Sequence, residues 1–312
     1  MDWPNHTAAW REWRDAASSA RMHHAWILAG KAGLGKQEFA LQAARELVVE
    51  KGVPQPTGDH PDILVLTYGP KDEKAARAAA DGKEYERARS IRISQIRGMQ
   101  HRLTTRPSVG SRRVVIINPA DDMERPASNA LLKSLEEPPQ GTFFLLVTHR
   151  PSGLLPTIRS RCRVLRFAEL DNATMAEQLG AGSETAIALA GGSLGAAKTF
   201  IEMKLEPAAQ IMQQLVAQGD PAMTLRAQLN AEVGARPSRE RIKAFLDLAR
   251  TTLAHSLDDA SPEKRLAIID AHSALVELGA KAPTYNFDNG LLVGEIASLL
   301  AGAGAASEPV HG

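Results

Sequence analysis

The sequence predicts an α/β domain with a doubly wound parallel sheet, followed by a chain of helices. Short apolar runs alternate with helix-period segments as far as Phe167, an order typical of parallel sheets with helices on both faces. The run Arg113–Ile117 is almost wholly β-branched, as strands buried on both faces often are. The run Ala25–Ala29 passes through a glycine-rich loop directly into a helix, which predicts a βα unit.

The spacing of apolar residues predicts the helices and strands of this domain. A helix over 7–20 places Trp10 and Trp13 on one apolar face, and Ser94 is the expected N-cap of a later helix. The predicted strands are 25–29, 63–66, 113–117, 142–148 and 164–167, and the predicted helices are 7–20, 36–49, 94–103 and 125–137.

Beyond Phe167 every periodic segment is helical. Ser183 and Ser193 are expected to cap two short helices of a small helical domain, and longer helices follow it without a fixed-period repeat. The predicted domains are 1–167, 168–206 and 207–312.

Composition limits the functional class. The chain has 312 residues, a formal net charge of +1 and one cysteine, so neither a global field toward nucleic acid nor an internal disulfide is expected. No apolar run reaches the about 18 residues of a membrane span and the N-terminus has no signal-peptide order, so we expect a cytoplasmic protein without a membrane partner. Residues 71–113 carry twelve Lys and Arg against five Asp and Glu, which indicates either a solvated face or a nucleic-acid contact. Segment 71–90 is expected to be a surface insertion with partial helix.

The glycine-rich loop matches the pattern of a phosphate-binding loop in all but its last position. Gly30, Gly33, Gly35 and Lys36 supply the turn and the cation, and the helix that follows adds its positive dipole end. Gln37 stands where a Ser or Thr hydroxyl would bind Mg²⁺. A purely structural turn is the alternative, although the strand–loop–helix context favours descent from a nucleotide-binding fold.

The residues that an ATPase needs beside this loop are also missing. Asn118 and Pro119 follow the strand 113–117, where a carboxylate for the metal and a base for water are required. Asp121 and Asp122 come later and are expected to cap or start the next helix. The sequence therefore predicts a degenerate site without hydrolysis.

A second cluster, TIRSRCR at 157–163, contains three alternating arginines. They are either a solvated strand edge, or they include a guanidinium offered to the phosphates of another protein. Spacing alone leaves both interpretations open. The histidines show no metal-ligand spacing, so no metal site is expected.

Together these residues resemble the delta-prime subunits of bacterial DNA polymerase III clamp loaders, within the clamp-loader branch of AAA+ proteins. The resemblance rests on five stretches: HHAWILAGKAGLGK at 23–36, HPD at 60–62, SNALLKSLEEPP at 128–139, FFLLVTHRPSGLLPTIRSRC at 143–162 and AGGSLGAA at 190–197. It implies an AAA+ core, a small helical lid and an all-α C-terminal collar domain.

The resemblance also implies a role. In that family the subunit is a stator in a hetero-pentamer with delta and the motor subunits gamma or tau, which loads the sliding clamp on primed DNA. The Ser160-Arg161-Cys162 motif then presents Arg161 as an arginine finger in trans, and Thr148 corresponds to sensor 1. The sensor-2 arginine aligns near Gly195, and Arg97 and Arg102 become possible DNA phosphate contacts.

Relatives often carry a cysteine zinc module after the loop helix, but residues 49–94 contain no cysteine, so we expect no zinc. No cofactor is required, and ATP binding is weak at best. The chain is expected to be part of the DNA polymerase III holoenzyme, a nucleotidyltransferase complex, while lacking ATPase and polymerase activity itself. The alternatives are an active motor-type ATPase and a binding scaffold in which Arg161 is structural.

Overall fold

A computed structural model describes residues 3–19, 22–234, 237–281 and 289–305. The chain divides into two compact units, Met1–Leu170 and Asp171–Gly312. The separation of a lid over 168–206 from a collar over 207–312 remains a prediction.

The first unit is built on one parallel sheet of the strands β1 (Ala25–Ala29), β2 (Ile63–Leu66), β3 (Arg113–Ile117), β4 (Thr142–Thr148) and β5 (Arg163–Arg166), in the spatial order β2-β3-β4-β1-β5. This arrangement confirms the predicted α/β class. The α-helices of this unit are α1 (Thr7–Ser18), α2 (Lys36–Val48), α3 (Glu73–Ala80), α4 (Ile93–Leu103), α5 (Arg125–Glu136) and α6 (Pro156–Arg159).

Two apolar layers cover the sheet because alternate strand residues point to opposite faces. Ile27 of β1 packs in the layer that contains residues of α4 and α5, whereas Trp26 and Leu28 pack in the layer formed by α1 and α2. Trp13 of α1 meets Trp26 edge to face, with ring centroids 5.4 Å apart. The sheet is therefore doubly wound, and its carboxyl edge carries the loops described below.

Several predicted boundaries in this unit are wrong by one or two residues. The helices predicted over 7–20, 36–49 and 125–137 end at Ser18, Val48 and Glu136, and strand β5 spans Arg163–Arg166 instead of 164–167. Ser94 is not an N-cap: α4 starts at Ile93, and the side-chain oxygen of Gln95 accepts a 3.0 Å hydrogen bond from the backbone N–H of Arg92. A side chain that reaches back satisfies an N–H at the start of the helix without a serine cap. The insertion contains α3, as expected, and the Asp72 carboxylate caps it.

The described residues of the second unit form helices joined by turns and loops, with no strand among them. Ser193 accepts a 3.1 Å hydrogen bond from the N–H of Ala196 and caps α9 (Leu194–Glu202) as predicted. Ser183 does not cap α8 (Glu184–Ala190) with its side chain, because its hydroxyl donates to the carbonyl oxygen of Gly180 instead. The other helices described in this unit are α7 (Asn172–Leu179), α10 (Glu206–Gln218), α11 (Thr224–Val233), α12 (Arg239–His255), α13 (Pro262–Lys281) and α14 (Asn289–Ala305). None of the helices described in either unit is long and apolar enough to span a bilayer.

Candidate functional site

The loop between β1 and α2 has the shape that its glycines predict. Gly33 and Gly35 have φ angles of 76° and 72°, in the left-handed region that glycine adopts most easily. Gly30 lies against the end of β5, where an added Cβ would stand 2.8 Å from the carbonyl oxygen of Phe167. Close packing within the fold therefore requires glycine at position 30.

Lys36, the first residue of α2, is directed into its own loop. Its Nζ donates a 2.7 Å hydrogen bond to the carbonyl oxygen of Gly30 and a second bond to that of Lys31. The residue is only 3% exposed. Burial lowers the pKa of Lys36 to about 8, and the negative charge of Asp121 opposes that shift. The ammonium group is thus held by backbone carbonyls of the loop.

The two side chains that the sequence predicts in place of metal ligands contact each other. Asn118, directly after β3, donates from Nδ2 to Oε1 of Gln37 at the start of α2, over 2.7 Å. A cis peptide bond joins Asn118 to Pro119. The structure thus brings together Gln37 and Asn118, which the sequence identifies separately. We call these two neutral side chains the amide pair.

An N-terminal segment covers the loop, and sequence reasoning missed it. A Cβ added to Gly35 would overlap the indole ring of Trp3. His6 stacks on Trp3, with ring centroids 5.5 Å apart, and its Nε2 lies 2.8 Å from the carbonyl oxygen of Leu34. Asn5 donates to the carbonyl oxygen of Ala168 over 3.1 Å. The only available signal was a tryptophan placed just before an amphipathic helix.

The acidic pair after β3 lies in a short 3-10 helix, Ala120–Asp122, and neither caps nor starts α5, so the expectation for that helix is wrong. The N-cap of α5 is Glu124, and its side chain makes no capping bond. The carboxylate of Asp121 instead accepts the backbone N–H groups of His149 and Arg150, over 3.1 and 3.2 Å. Asp122 accepts a 2.5 Å hydrogen bond from the hydroxyl of Tyr68. These acids hold the loops at the ends of β2 and β4, since neighbouring strands end at the same edge of the sheet.

Thr148, which is expected from the resemblance to correspond to sensor 1, is the last residue of β4 and is fully buried. It is paired in register with Ala29, the last residue of β1, which leads into the loop. Its hydroxyl oxygen accepts a 3.2 Å hydrogen bond from the backbone N–H of Arg150. Thr148 therefore lies at the same sheet edge as the amide pair.

The Ser160-Arg161-Cys162 motif follows α6. Arg161 donates from Nη1 to the carbonyl oxygen of Thr157 over 2.9 Å and pairs through Nη2 with Oε1 of Glu136 at 2.7 Å. Ser160 donates to that same carbonyl oxygen over 3.1 Å. Burial raises the pKa of Cys162 to about 12, so its thiol stays protonated and packs as a small apolar group. The motif thus exposes one arginine on a firmly bonded turn.

The arginines of α4 lie on its exposed face. Arg97 is exposed beside Gly98, and Arg102 donates to the carbonyl oxygen of Pro61 over 3.1 Å. A buried ion pair supports the segment after this helix: Arg113 Nη2 lies 3.1 Å from Asp62 Oδ1.

Asp62 is the aspartate of the HPD stretch. Burial opposes its ionisation, yet hydrogen bonds from the backbone of Ser108 and Val109 and from Arg113 hold its pKa below the usual value. Asp62 therefore anchors the loop that follows α4. Among the described residues no group of three His, Cys, Asp or Glu side chains could hold a metal ion.

Several known proteins match the sequence of this chain. A family model described as DNA polymerase III, delta subunit, matches residues 5–171. The chain is 35% identical over 162 residues to DNA polymerase III subunit delta' of Pseudomonas aeruginosa. This alignment covers 48% of this chain and 44% of the relative. It is 31% identical over 170 residues to subunit delta' of Bacillus subtilis, covering 51% and 46%.

Subunit tau of Escherichia coli is 27% identical over 259 residues, covering 82% of this chain and 38% of the relative. The matches thus span less than half the length of these relatives.

Among solved structures, a gamma subunit-related protein of Thermotoga maritima aligns with 94% of this chain and 98% of its own, at 20% identity and a TM-score of 0.48. The RuvB Holliday junction branch migration motor of the same organism aligns with 76% and 86%, at 14% identity and a TM-score of 0.42. Because the family model covers more than half of the chain, this protein belongs to the DNA polymerase III delta-subunit family, and its relatives identify it with the delta-prime subunits of the clamp loader.

Proposed function

We propose that this chain is a non-hydrolysing stator subunit of the replicative clamp loader. In this role it helps to load the sliding clamp on primed DNA and presents Arg161 to the ATP site of a neighbouring motor subunit. Membership of the delta-prime family supports the assembly. The geometry of the chain's own loop supports the lack of hydrolysis.

The observation that carries the proposal is the amide pair of Gln37 and Asn118 beside a lysine bonded to its own loop. A Mg²⁺-nucleotide needs a hydroxyl and a carboxylate at these positions, and it needs the lysine for its phosphates. Two neutral amides bring no negative charge to offset a divalent cation. Pro119 has no group that could act as a base for water. These residues do not fit a bound Mg²⁺-nucleotide, so the chain is proposed to require no cofactor.

Arg161 is suited to act on another subunit because its side chain is 37% exposed on a turn fixed by hydrogen bonds. A planar guanidinium can donate to two phosphate oxygens at once and offset the charge that develops during phosphoryl transfer. We therefore propose that Arg161 is the catalytic residue of this chain, acting in trans.

A motor-type ATPase is the second candidate. It is favoured by the match to subunit tau over 82% of this chain and by the retention of Lys36. Gln37, Asn118 and Pro119 argue against it, since they remove the metal ligands and the base together.

The proposed assembly is a hetero-pentamer with delta and the motor subunits gamma or tau, in contact with the sliding clamp. In the second unit, α13 carries an apolar stripe that supports a subunit contact. Leu266, Ile269 and Val276 are 66%, 49% and 42% exposed and follow one another along one face of the helix.

Primed DNA is the proposed nucleic-acid partner. The exposed position of Arg97 and Arg102 on α4 supports phosphate contacts, which would position DNA without reading its sequence. The excess of positive charge in residues 71–113 supports the same contact.

ATP hydrolysis by the isolated chain tests this function. We expect no hydrolysis above that of the Lys36→Ala variant, whereas the isolated motor subunit hydrolyses ATP under the same conditions. Hydrolysis by the isolated chain that Lys36→Ala abolishes would establish the motor-type ATPase instead.

A further inference from the structure

An ion pair between Arg161 and Glu136 joins the turn that carries the proposed catalytic arginine to the end of α5. Glu136 is the last residue of α5, and Arg161 follows α6. Their side chains are 48% and 37% exposed, and Nη2 lies 2.7 Å from Oε1. The pair is thus short but open to solvent.

Stability of the fold does not explain this pair. An ion pair at this exposure contributes little, because water and salt screen it. A carboxylate at the C-terminal end of a helix also faces the negative end of the helix dipole, which disfavours it. Glu136 therefore lies where its own helix does not favour a negative charge, next to the arginine that is proposed to act on the nucleotide of another subunit.

Two groups of the chain occupy donors of the Arg161 guanidinium. The backbone carbonyl oxygen of Thr157 accepts a hydrogen bond from Nη1, and the carboxylate of Glu136 pairs with Nη2. A phosphate that approaches the exposed side of Arg161 meets a second anion on the same guanidinium, and the two anions repel each other. Release of Nη2 from Glu136 removes that repulsion and frees a donor for the phosphate.

We propose that Glu136 is a positioning residue that holds Arg161 against its own subunit until the phosphates of a nucleotide on the neighbouring subunit displace it. This inference rests on the proposed action of Arg161 in trans. Glu136 acts through Arg161 and does not touch the nucleotide. It makes engagement of the arginine depend on a strongly charged ligand, such as a nucleoside triphosphate.

The assembled clamp loader tests this with a matched pair of variants. Glu136→Gln keeps the length and the acceptor oxygen of the side chain but removes its charge. Glu137→Gln is the control, because Glu137 is exposed at the next position and its side chain has no ion pair with any described residue. The measured quantity is the ATP concentration that gives half-maximal turnover.

We expect Glu136→Gln to lower that concentration by about two- to fivefold, the range that corresponds to one exposed ion pair. Glu137→Gln leaves it unchanged, and the effect of Glu136→Gln shrinks at high salt. In the Arg161→Ala background Glu136→Gln has no further effect. A merely structural role for Glu136 would lower maximal turnover or assembly and leave half-saturation unchanged.

The variants distinguish a failure of the proposed action of Arg161 from a failure of the proposed role of Glu136. If Arg161→Ala leaves turnover unchanged, the action in trans is wrong and the role of Glu136 falls with it. If Arg161→Ala lowers turnover but Glu136→Gln raises the half-saturating ATP concentration or leaves it unchanged, only the role of Glu136 is overturned.

Discussion

Nδ2 of Asn118 donates a 2.7 Å hydrogen bond to Oε1 of Gln37, so the two positions at which the sequence predicts the loss of metal ligands are bonded to each other. The bond joins the end of β3 to the start of α2. The side chains of these two residues, which are far apart in the sequence, thus satisfy part of each other's hydrogen-bonding capacity in the fold.

This contact predicts coupling between the two residues. Gln37→Ala and Asn118→Ala should each lower the free energy of unfolding by about 0.5–1 kcal/mol, because each removes the same hydrogen bond. The double variant should lose less than the sum of the single losses. Urea unfolding of the four proteins measures this, and strictly additive losses would contradict the pairing.

Lys36 predicts a dependence of stability on pH. Burial lowers its pKa from the ordinary 10.5 to about 8. Between these two values the unfolded lysine holds a proton that the folded one has lost, so this group makes stability rise with pH across that window. Below pH 8 both forms are protonated and the burial cost is constant.

Lys36→Met has no such titration. The stability of the unmodified chain relative to this variant should therefore rise between pH 8 and 10.5, by at most about 3 kcal/mol. Urea unfolding at the two ends of this window measures the change. A difference that is independent of pH would contradict the burial of the ammonium group.

The cover of the loop by Trp3 predicts a steric effect at Gly35. Gly35 and Gly52 both have positive φ, but an added Cβ overlaps Trp3 only at Gly35 and meets nothing within 4 Å at Gly52. Gly52→Ala should cost about 1–2 kcal/mol, the price of the left-handed conformation alone. Gly35→Ala should cost more, and Trp3→Ala should reduce that excess. Equal costs at the two glycines in thermal unfolding would show that Trp3 does not lie on the loop.

The exposed face of α4 predicts a salt effect on DNA binding. If Arg97 contacts phosphate, Arg97→Ala should reduce the slope of log affinity against log salt concentration by about 0.9 for the assembled loader on primed DNA. Arg45→Ala is the control, because Arg45 is exposed on α2 instead. Titrations at several salt concentrations measure the slope. An unchanged slope in Arg97→Ala would remove Arg97 from the DNA contact.

Patterns that depend on local periodicity were predictable from the sequence. The strands over 25–29, 63–66, 113–117 and 142–148 have the predicted bounds, because each interrupts the helical period with a short apolar run. The prediction that Ser94 caps α4 was wrong because the side chain of Gln95, in the first turn, accepts the backbone N–H of Arg92 instead. The hydrophobic pattern does not determine which side chain makes this bond.

The contacts of the site were not predictable, because they join distant parts of the chain. Gln37 and Asn118 are 81 positions apart. The pair of Glu136 with Arg161 depends on how α5 meets the turn after α6. Asp121 binds the loop after β4, a contact that exists only once β3 and β4 lie side by side.

ATP turnover by the assembled clamp loader tests the proposed stator most directly, measured with the unmodified chain, Arg161→Ala and Arg159→Ala. Arg159 is an exposed arginine two positions earlier and serves as the control. Arg161→Ala should leave assembly intact and lower turnover at the adjoining ATP site by about a thousandfold, the contribution typical of an arginine finger, while Arg159→Ala has no effect. Unchanged turnover with Arg161→Ala, or loss of assembly, would contradict a stator that acts in trans.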